Sequence, residues 1–355
     1  MKAIVYHGNK DIRLEDIPEP SPAPGEVKIR VTNASICATD IEEWQFGPLW
    51  VQHGSPNALT GKQTPLVIGH EISGHVVELG EGVADGNVHT GDRVVVENVL
   101  TCGTCFWCKR GQQSVCPSMA VAGFMADGGL EEFMVWPADH VVVLPEGISD
   151  VEGPLVEPAT VAVHGVRRSG VKAGDTVAVI GCGTVGLLTL QAFKAAGARV
   201  IAIDIRDQSL ELATVLGADW VVNSRDEQAA AGRLMELTDG VGPDIVVETA
   251  GARETPRMAI EWARRGGTAL LLGIYSARLE MDFNSIVGRE ITVIGSVAAS
   301  PGDMKAAVDL MAQGKIDVKP LISETVPLSR AIEDGFNRML DPDKEVFRIV
   351  IQPGS

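Results

Sequence analysis

The sequence has no cluster of lysines and arginines that could grip a polyanion, and its balance of 30 Lys+Arg against 47 Asp+Glu, a net charge of −17, opposes one. Proteins that hold nucleic acid neutralise phosphates with grouped cations, so nucleic acid is excluded as a partner. An uninterrupted apolar stretch of membrane-spanning length is also missing. The longest candidate, 177–193, carries Gly181, Gly183 and Gly186 and reads as strand, turn and helix, which excludes a membrane partner. The opening MKAIVYHGNKDIRLED lacks the apolar core and small-residue cleavage site of a secretory signal, and a cytoplasmic protein is expected. No internal repeat or low-complexity tract is present.

What is there begins with length. A chain of 355 residues exceeds what one core usually organises, so two domains are expected. Up to about residue 150, short alternating strands (2–7, 27–31, 92–96, 132–136, 140–145) are punctuated by glycine and proline, which predicts a compact β-rich domain. From Asp175 to Ser296, apolar β-branched runs alternate with helical stretches at 177–180, 200–204, 220–222, 245–248, 269–272 and 291–294. Six buried strands with helices between them predict an α/β, doubly wound parallel sheet. A helical stretch at 303–313 and a last alternating strand at 347–352 follow; that strand needs a partner and is expected to return to the first domain. The expected division is 1–153 with 298–355, and 154–297.

The strand 177–180 runs directly into Gly181-Cys182-Gly183-Thr184-Val185-Gly186 and then a helix. In that context Gly181 permits the tight turn, Gly183 lets backbone approach a pyrophosphate, and Gly186 lets helix and strand pack closely, with phosphates on the helix N-terminus. A second strand ends at Asp204, whose carboxylate suits ribose hydroxyls and repels a 2′-phosphate, so NAD is expected over NADP. Arg206, two residues on, is the group that would favour the phosphate instead. Cys182 reads as a small packing residue.

Six cysteines occur, and Cys102, Cys105, Cys108 and Cys116 fall within fifteen residues. A reducing cytoplasm disfavours the alternative of two disulfides, and four thiolates in one loop suit tetrahedral Zn²⁺ better than an iron–sulfur cluster. Four protein ligands leave no open position, so this zinc is expected to be structural. A second, dispersed set is Cys37, then Gly69-His70-Glu71, then Glu157. Taken alone, a single cysteine is usually core and Gly-His-Glu an ordinary turn. A nicotinamide enzyme acting on an alcohol, however, needs an electrophile for the developing negative charge, and a Cys/His/carboxylate zinc with an open position supplies one.

Five ordered motifs, Cys37-Ala38-Thr39-Asp40, Gly69-His70-Glu71-x-x-Gly74, the four-cysteine loop, Glu157-Pro158 and Gly181-x-Gly183-x-x-Gly186, give the chain a plain resemblance to the zinc-containing medium-chain dehydrogenases. Within them, 46–61 and 155–164 resemble the butanediol and sorbitol dehydrogenases. The resemblance implies a GroES-like catalytic domain built from both chain ends, a Rossmann domain between them, and an active-site cleft at their junction. It implies that Cys37, His70 and Glu71 bind the catalytic zinc, with Glu157 a fourth ligand or the partner of zinc-bound water. Thr39 falls where the family carries a proton-relaying hydroxyl, a fitting type because it both donates and accepts. The expected reaction is zinc-dependent, NAD-linked oxidation of a secondary alcohol, a vicinal diol or a polyol, to the ketone.

The chain departs from the family pattern at Ala38, where glycine is usual, and at Glu42, where a histidine is common. Glu42 reads equally as the outer end of the proton relay or as a solvated helix start, and Glu43 as a pocket residue facing substrate hydroxyls. Trp44, Trp50 and Phe124 are candidates for pocket wall or core. Two rivals stay open: a zinc-free quinone reductase on the same scaffold, and a zinc or redox sensor switched by the four-cysteine loop. The resemblance also implies a homo-oligomer, dimer or tetramer, joined through the apolar sheet edge at 291–296.

Overall fold

The computed structural model describes residues 1–83, 88–275, 277–341 and 346–354. It separates into two compact units: Met1–Glu157 with Ala299–Ala312 and Val318–Ser355, and Pro158–Ala298 with Gln313–Asp317. Against the expected division at 153, four further residues, through Glu157, go with the first unit. Gly153 accounts for this locally, because it lies so close to Ser73 that an added Cβ would stand 2.6 Å from its side chain. Gln313–Asp317 goes with the second unit because the Gln191 amide clasps Asp317, donating to its carbonyl at 3.1 Å and accepting its N–H at 2.6 Å.

The first unit is built around Glu26–Ser35, whose alternating Val27, Ile29 and Val31 are fully buried. That strand pairs antiparallel with Glu71–Leu79, Phe133–Pro137 and the last strand, Arg348–Gln352, where Val350 lies opposite Ser35 and Ile351 opposite Ala34. Ile322–Pro327 continues the sheet parallel to Arg348–Gln352, while Arg93–Val96 and Val141–Val143 extend its other side. A smaller sheet joins Asp11–Asp16, Lys2–Gly8 and Leu66–Val67. Ile4, Ile36, Ile68, Ile72, Leu130, Ile349 and Ile351 form one core between these layers; each such side chain contributes roughly 1.5–3 kcal/mol by leaving water.

The second unit is a six-stranded parallel sheet in the order Trp220–Asn223, Arg199–Asp204, Thr176–Ile180, Ile245–Glu248, Thr268–Leu271, Thr292–Gly295. Counted along the unit this is 3-2-1-4-5-6, the doubly wound order with its reversal beside the first strand. Thr176–Ile180 is buried throughout, as a central strand covered on both faces must be. Both edge strands correct the expectation of six buried strands: Trp220–Asn223 buries only Val222, and Thr292–Gly295 is mostly exposed, with Val293 at 41%. Among the described residues no helix is long and apolar enough to cross a membrane.

Candidate active site

Cys37 is the N-cap of the helix Ala38–Phe46, and its own N–H donates to Asp40 Oδ2 at 2.9 Å, closing the first turn. The other oxygen of Asp40, a fully buried residue, lies 3.1 Å from His70 Nδ1. One carboxylate therefore sets both the backbone of Cys37 and the ring of His70, and with Nδ1 donating to it the imidazole is left with Nε2 as its ligating nitrogen. Gly69 makes the approach possible: its φ is +98°, and a Cβ there would stand 2.7 Å from Leu130. The result is that ligand atoms of Cys37, His70 and Glu71 all lie within 4.8 Å of one another.

Glu71 begins the strand Glu71–Leu79 opposite Ser35, whose hydroxyl donates to Glu71 Oε2. Its other oxygen lies 2.8 Å from Arg348 Nη2, an ion pair between two buried side chains, and Arg348 also donates to the Ile36 carbonyl at 2.9 Å. Glu157 Oε1 accepts from Asn98 Nδ2 at 3.0 Å. Burial pushes the Glu157 carboxyl up to about 7, with Glu71 adding to the rise and His70 opposing it. Burial disfavours the charged His70 ring, yet Asp40 and then Cys37 outweigh it and hold the ring well above the usual histidine range. The Arg348 guanidinium faces Glu71, Cys37 and Glu157, and Asp40 adds a further carboxylate on the far side of His70. This surplus of negative charge, with a thiol, an imidazole and carboxylates as donors, fits a bound divalent zinc.

Thr39 Oγ1 is buried with no hydrogen-bond partner among the described residues, so its hydroxyl is left to a substrate or solvent proton. Glu42, one turn along the helix, is half-buried, which raises its pKa. Glu43 departs from the expectation of a substrate-facing acid. Fully buried, it accepts the N–H groups of Leu49 (3.0 Å), Trp50 (2.7 Å) and Val51 (3.3 Å) and pins the loop after the helix. Phe124 packs its ring 4.9 Å from that of His70; Trp44 fills core edge-on to Phe336; Trp50 is 41% exposed. Ser35, Asn98 and Arg348 lie outside every sequence motif, and Asp40 falls inside one without a role of its own there. The one signal for Arg348 is a charge heading the apolar run Ile349–Ile351 of the final strand.

The second cluster brings Cys102, Cys105, Cys108 and Cys116 together, again within 4.8 Å. Their sulfurs stand 3.4, 3.6, 3.9 and 4.0 Å apart along four edges. A disulfide needs about 2.05 Å, whereas four sulfurs at about 2.3 Å from a tetrahedral zinc stand about 3.8 Å apart. All six cysteines are free thiols. Backbone N–H groups of Thr104 and Cys105 pull the Cys102 thiol down to about 6, toward the thiolate that a metal takes.

In the second unit, Gly181 follows Thr176–Ile180 with φ +94°, and Gly183 caps the helix Thr184–Ala195. A Cβ on Gly186 would lie 1.8 Å from the Gly181 carbonyl, so only glycine lets strand and helix close; on Gly183 it would meet nothing within 4 Å. That open side, in front of the first-turn amides of Thr184 and Val185, is where an anion's oxygens can approach. Asp204 ends Arg199–Asp204 and accepts from Cys182 N (2.7 Å) and Arg206 N (2.9 Å). The Arg206 side chain, half-exposed, folds back to 3.3 Å from the same carboxylate. Cys182 is buried, its thiol facing the Ile203 carbonyl.

Two family models match the chain: an alcohol dehydrogenase GroES-like domain over residues 23–146 and a zinc-binding dehydrogenase over 184–313. The (R,R)-butanediol dehydrogenase of Bacillus subtilis is 36% identical over 99% of this chain and 100% of its own length. A sorbitol dehydrogenase of Halalkalibacterium halodurans is 31% identical over 93% of each. Among solved structures, 2R,3R-butanediol dehydrogenase from Bacillus subtilis superposes with a TM-score of 0.92 at 34% identity, covering 99% of both chains. An Escherichia coli CFT073 alcohol dehydrogenase complexed with NADH gives 0.87 at 28% identity, with 99% of both chains covered.

Proposed function

We infer the reaction from one premise: the chain belongs to the zinc-binding alcohol dehydrogenase family, in the branch of the butanediol and sorbitol dehydrogenases. It is a zinc-dependent oxidoreductase of alcohols or polyols that uses a nicotinamide cofactor. The finer reading we propose is oxidation of one hydroxyl of a vicinal diol such as 2,3-butanediol, or of a polyol such as sorbitol, with NAD as acceptor and two zinc ions per chain. The observation that carries it is the meeting of Cys37, His70 and Glu71 within 4.8 Å. A zinc-free quinone reductase has no use for that trio.

Cys37, His70 and Glu71 would hold the zinc, with Glu157, which stands outside that trio, as a fourth ligand or the partner of zinc-bound water; the ion would supply a Lewis acid that lowers a hydroxyl's pKa from an aqueous value of about 16, and the nicotinamide would supply the hydride acceptor. The protein's own part is positional. Asp40 fixes the His70 tautomer, Ser35 and Arg348 orient Glu71, and Asn98 holds one oxygen of Glu157. The other Glu157 oxygen suits the second hydroxyl of a diol, which is the reason for favouring diols. Thr39, without a partner among the described residues, takes the substrate proton and passes it outward, with Glu42 three residues on along the same helix face as the next acceptor. Asp204 supports NAD: it is a carboxylate where a 2′-phosphate would sit, and Arg206 is turned back on it. The same reading makes the protein a cytoplasmic homo-oligomer, with the exposed edge strand Thr292–Gly295 as the joining surface.

Initial rates of the zinc-loaded protein on 2,3-butanediol stereoisomers, sorbitol and 2-butanol, with NAD and NADP, test this. A kcat/KM at least about tenfold higher for a diol or polyol than for 2-butanol, and for NAD than for NADP, is expected, as is a metal count of two zincs per chain. Faster turnover of 2-butanol would remove the diol assignment, and one zinc or none would remove the two-metal reading.

A further inference from the structure

Residues 130–132 lie along the strand Lys2–Gly8: Ile4 N–H donates to the Leu130 carbonyl at 2.8 Å, Glu132 N–H to Lys2 at 3.2 Å, and Ala3 bridges Glu131. In extended backbone, successive side chains point to opposite faces. Leu130 enters the main core. Glu131 turns the other way, toward the separate small cluster of Ala3, Val5, Val67 and Ile17. There it lines a cavity of about 690 Å³ walled by Val5, Ile17, Leu66, Val67 and Met134, a size typical of small-molecule sites.

The other charged groups of this cavity are spoken for. Glu15 pairs with His7 at 2.8 Å, Glu26 accepts the Ala23 N–H at 2.9 Å, Asp127 pairs with Lys62 and accepts the Val67 N–H at 3.2 Å, and the Met1 ammonium donates to the Ile17 carbonyl at 2.9 Å. Glu131 is 3% exposed, and among the described residues its carboxyl has no side-chain hydrogen bond or ion pair. Burial, with a smaller push from Asp127, raises its pKa well above the usual glutamate value, and Lys62 opposes the rise. A buried carboxyl without a partner is costly. Open only to the cavity, it is compensated by water there or by a group that brings a donor or a positive charge, and the apolar walls favour one carried on an apolar body.

We propose that this cavity is a second small-molecule site, separate from the metal cluster, which takes an organic cation: an alkyl- or arylammonium whose charge faces Glu131 and whose hydrocarbon lies on the Val5, Ile17 and Met134 walls. Occupancy draws the proton off Glu131, so affinity increases with pH. The proposal does not depend on which alcohol the enzyme oxidises.

The zinc-loaded full chain titrated with butyltrimethylammonium in a calorimeter tests it, because a quaternary nitrogen has no lone pair with which to ligate zinc. One site per chain is expected. Its affinity should fall about tenfold or more in Glu131→Gln while the dehydrogenase rate stays unchanged, and should rise by up to about tenfold per pH unit while free Glu131 is protonated. Hexanoate should bind at least tenfold more weakly. The pH series on the unaltered protein stands without any variant, and Glu131→Ala serves if the glutamine protein folds poorly. No binding, equal affinity in the variants, pH-independent affinity, or preference for hexanoate each overturns the proposal.

Discussion

The two ligand clusters of the first unit are built on opposite plans. Cys102, Cys105, Cys108 and Cys116 come from one loop, offer four identical donors, and lean on each other and on that loop's own backbone N–H groups and the Thr101 and Thr104 side chains. Cys37, His70 and Glu71 come from a helix N-cap and the start of a strand, offer three different donors, and each is oriented by something else: Asp40, Ser35 or Arg348. A set of four thiolates closes a tetrahedron and holds a loop. A mixed set with outer carboxylates keeps its donors rigid while leaving room for a further ligand, which is what chemistry on a substrate needs.

The sharpest way to break this contrast is to remove one cysteine from each. Cys37→Ala should lower kcat/KM by about 10⁴-fold, since several kcal/mol of charge stabilisation go with the metal, and should leave the melting temperature close to that of the parent. Cys116→Ser should do the reverse. It should lose one zinc, lower the melting temperature by about 5–10 °C if about 3 kcal/mol of folding free energy is lost, and retain most activity in the folded fraction. Rates, calorimetric melting and metal content read all three. If Cys116→Ser abolished activity without changing the melting temperature, the division of labour would be wrong.

The same contrast explains what sequence alone reveals. Four cysteines in fifteen residues, and a glycine loop between a strand and a helix, are local patterns whose spacing carries their geometry. The dispersed site is different: spacing alone does not mark Cys37 and His70, and it takes the chemical demand for an electrophile and the resemblance to a family to single them out. Its supporting residues apart from Asp40 are invisible even then, because groups such as Ile36 and Arg348, which meet across the sheet, are 312 positions apart. Glu43 misleads for a related reason. It has the look of a pocket acid, but loop backbone folds onto it and spends its lone pairs. The strand Ile322–Pro327 carries little signal in the sequence, because ISETVP lacks the clean apolar alternation of its neighbours and is held by pairing with the final strand.

If the outer groups do set the dispersed site, removing them should cost in proportion to their burial. Arg348→Met leaves the Glu71 carboxylate buried without its ion pair, and the breaking of a buried pair typically costs about 3–5 kcal/mol. A shift of that size in the denaturant midpoint, with weakened zinc retention, is expected. A shift under about 1 kcal/mol would show that water already compensates Glu71. Asp40→Asn keeps the size of the side chain but removes its charge from His70. Metal affinity or kcat/KM should fall by about 10–100-fold, the usual effect of such orienting carboxylates, and a chelator competition assay separates the two.

The smallest expected effect probes the same idea from the other side. Ala38 directly follows the ligand Cys37 and stands where the family usually has glycine, yet it is exposed and is the first residue of the helix. The position of Cys37 is set by its N–H on Asp40, not by the residue after it. Ala38→Gly should therefore cost no more than about 1 kcal/mol of helix propensity, less at a first-turn position, and leave kcat/KM within about twofold. A tenfold fall in rate with unchanged melting would mean that backbone stiffness at residue 38 places the thiolate. The dispersed site would then resemble the cysteine loop after all, positioned by its own local chain rather than by partners from elsewhere in the fold.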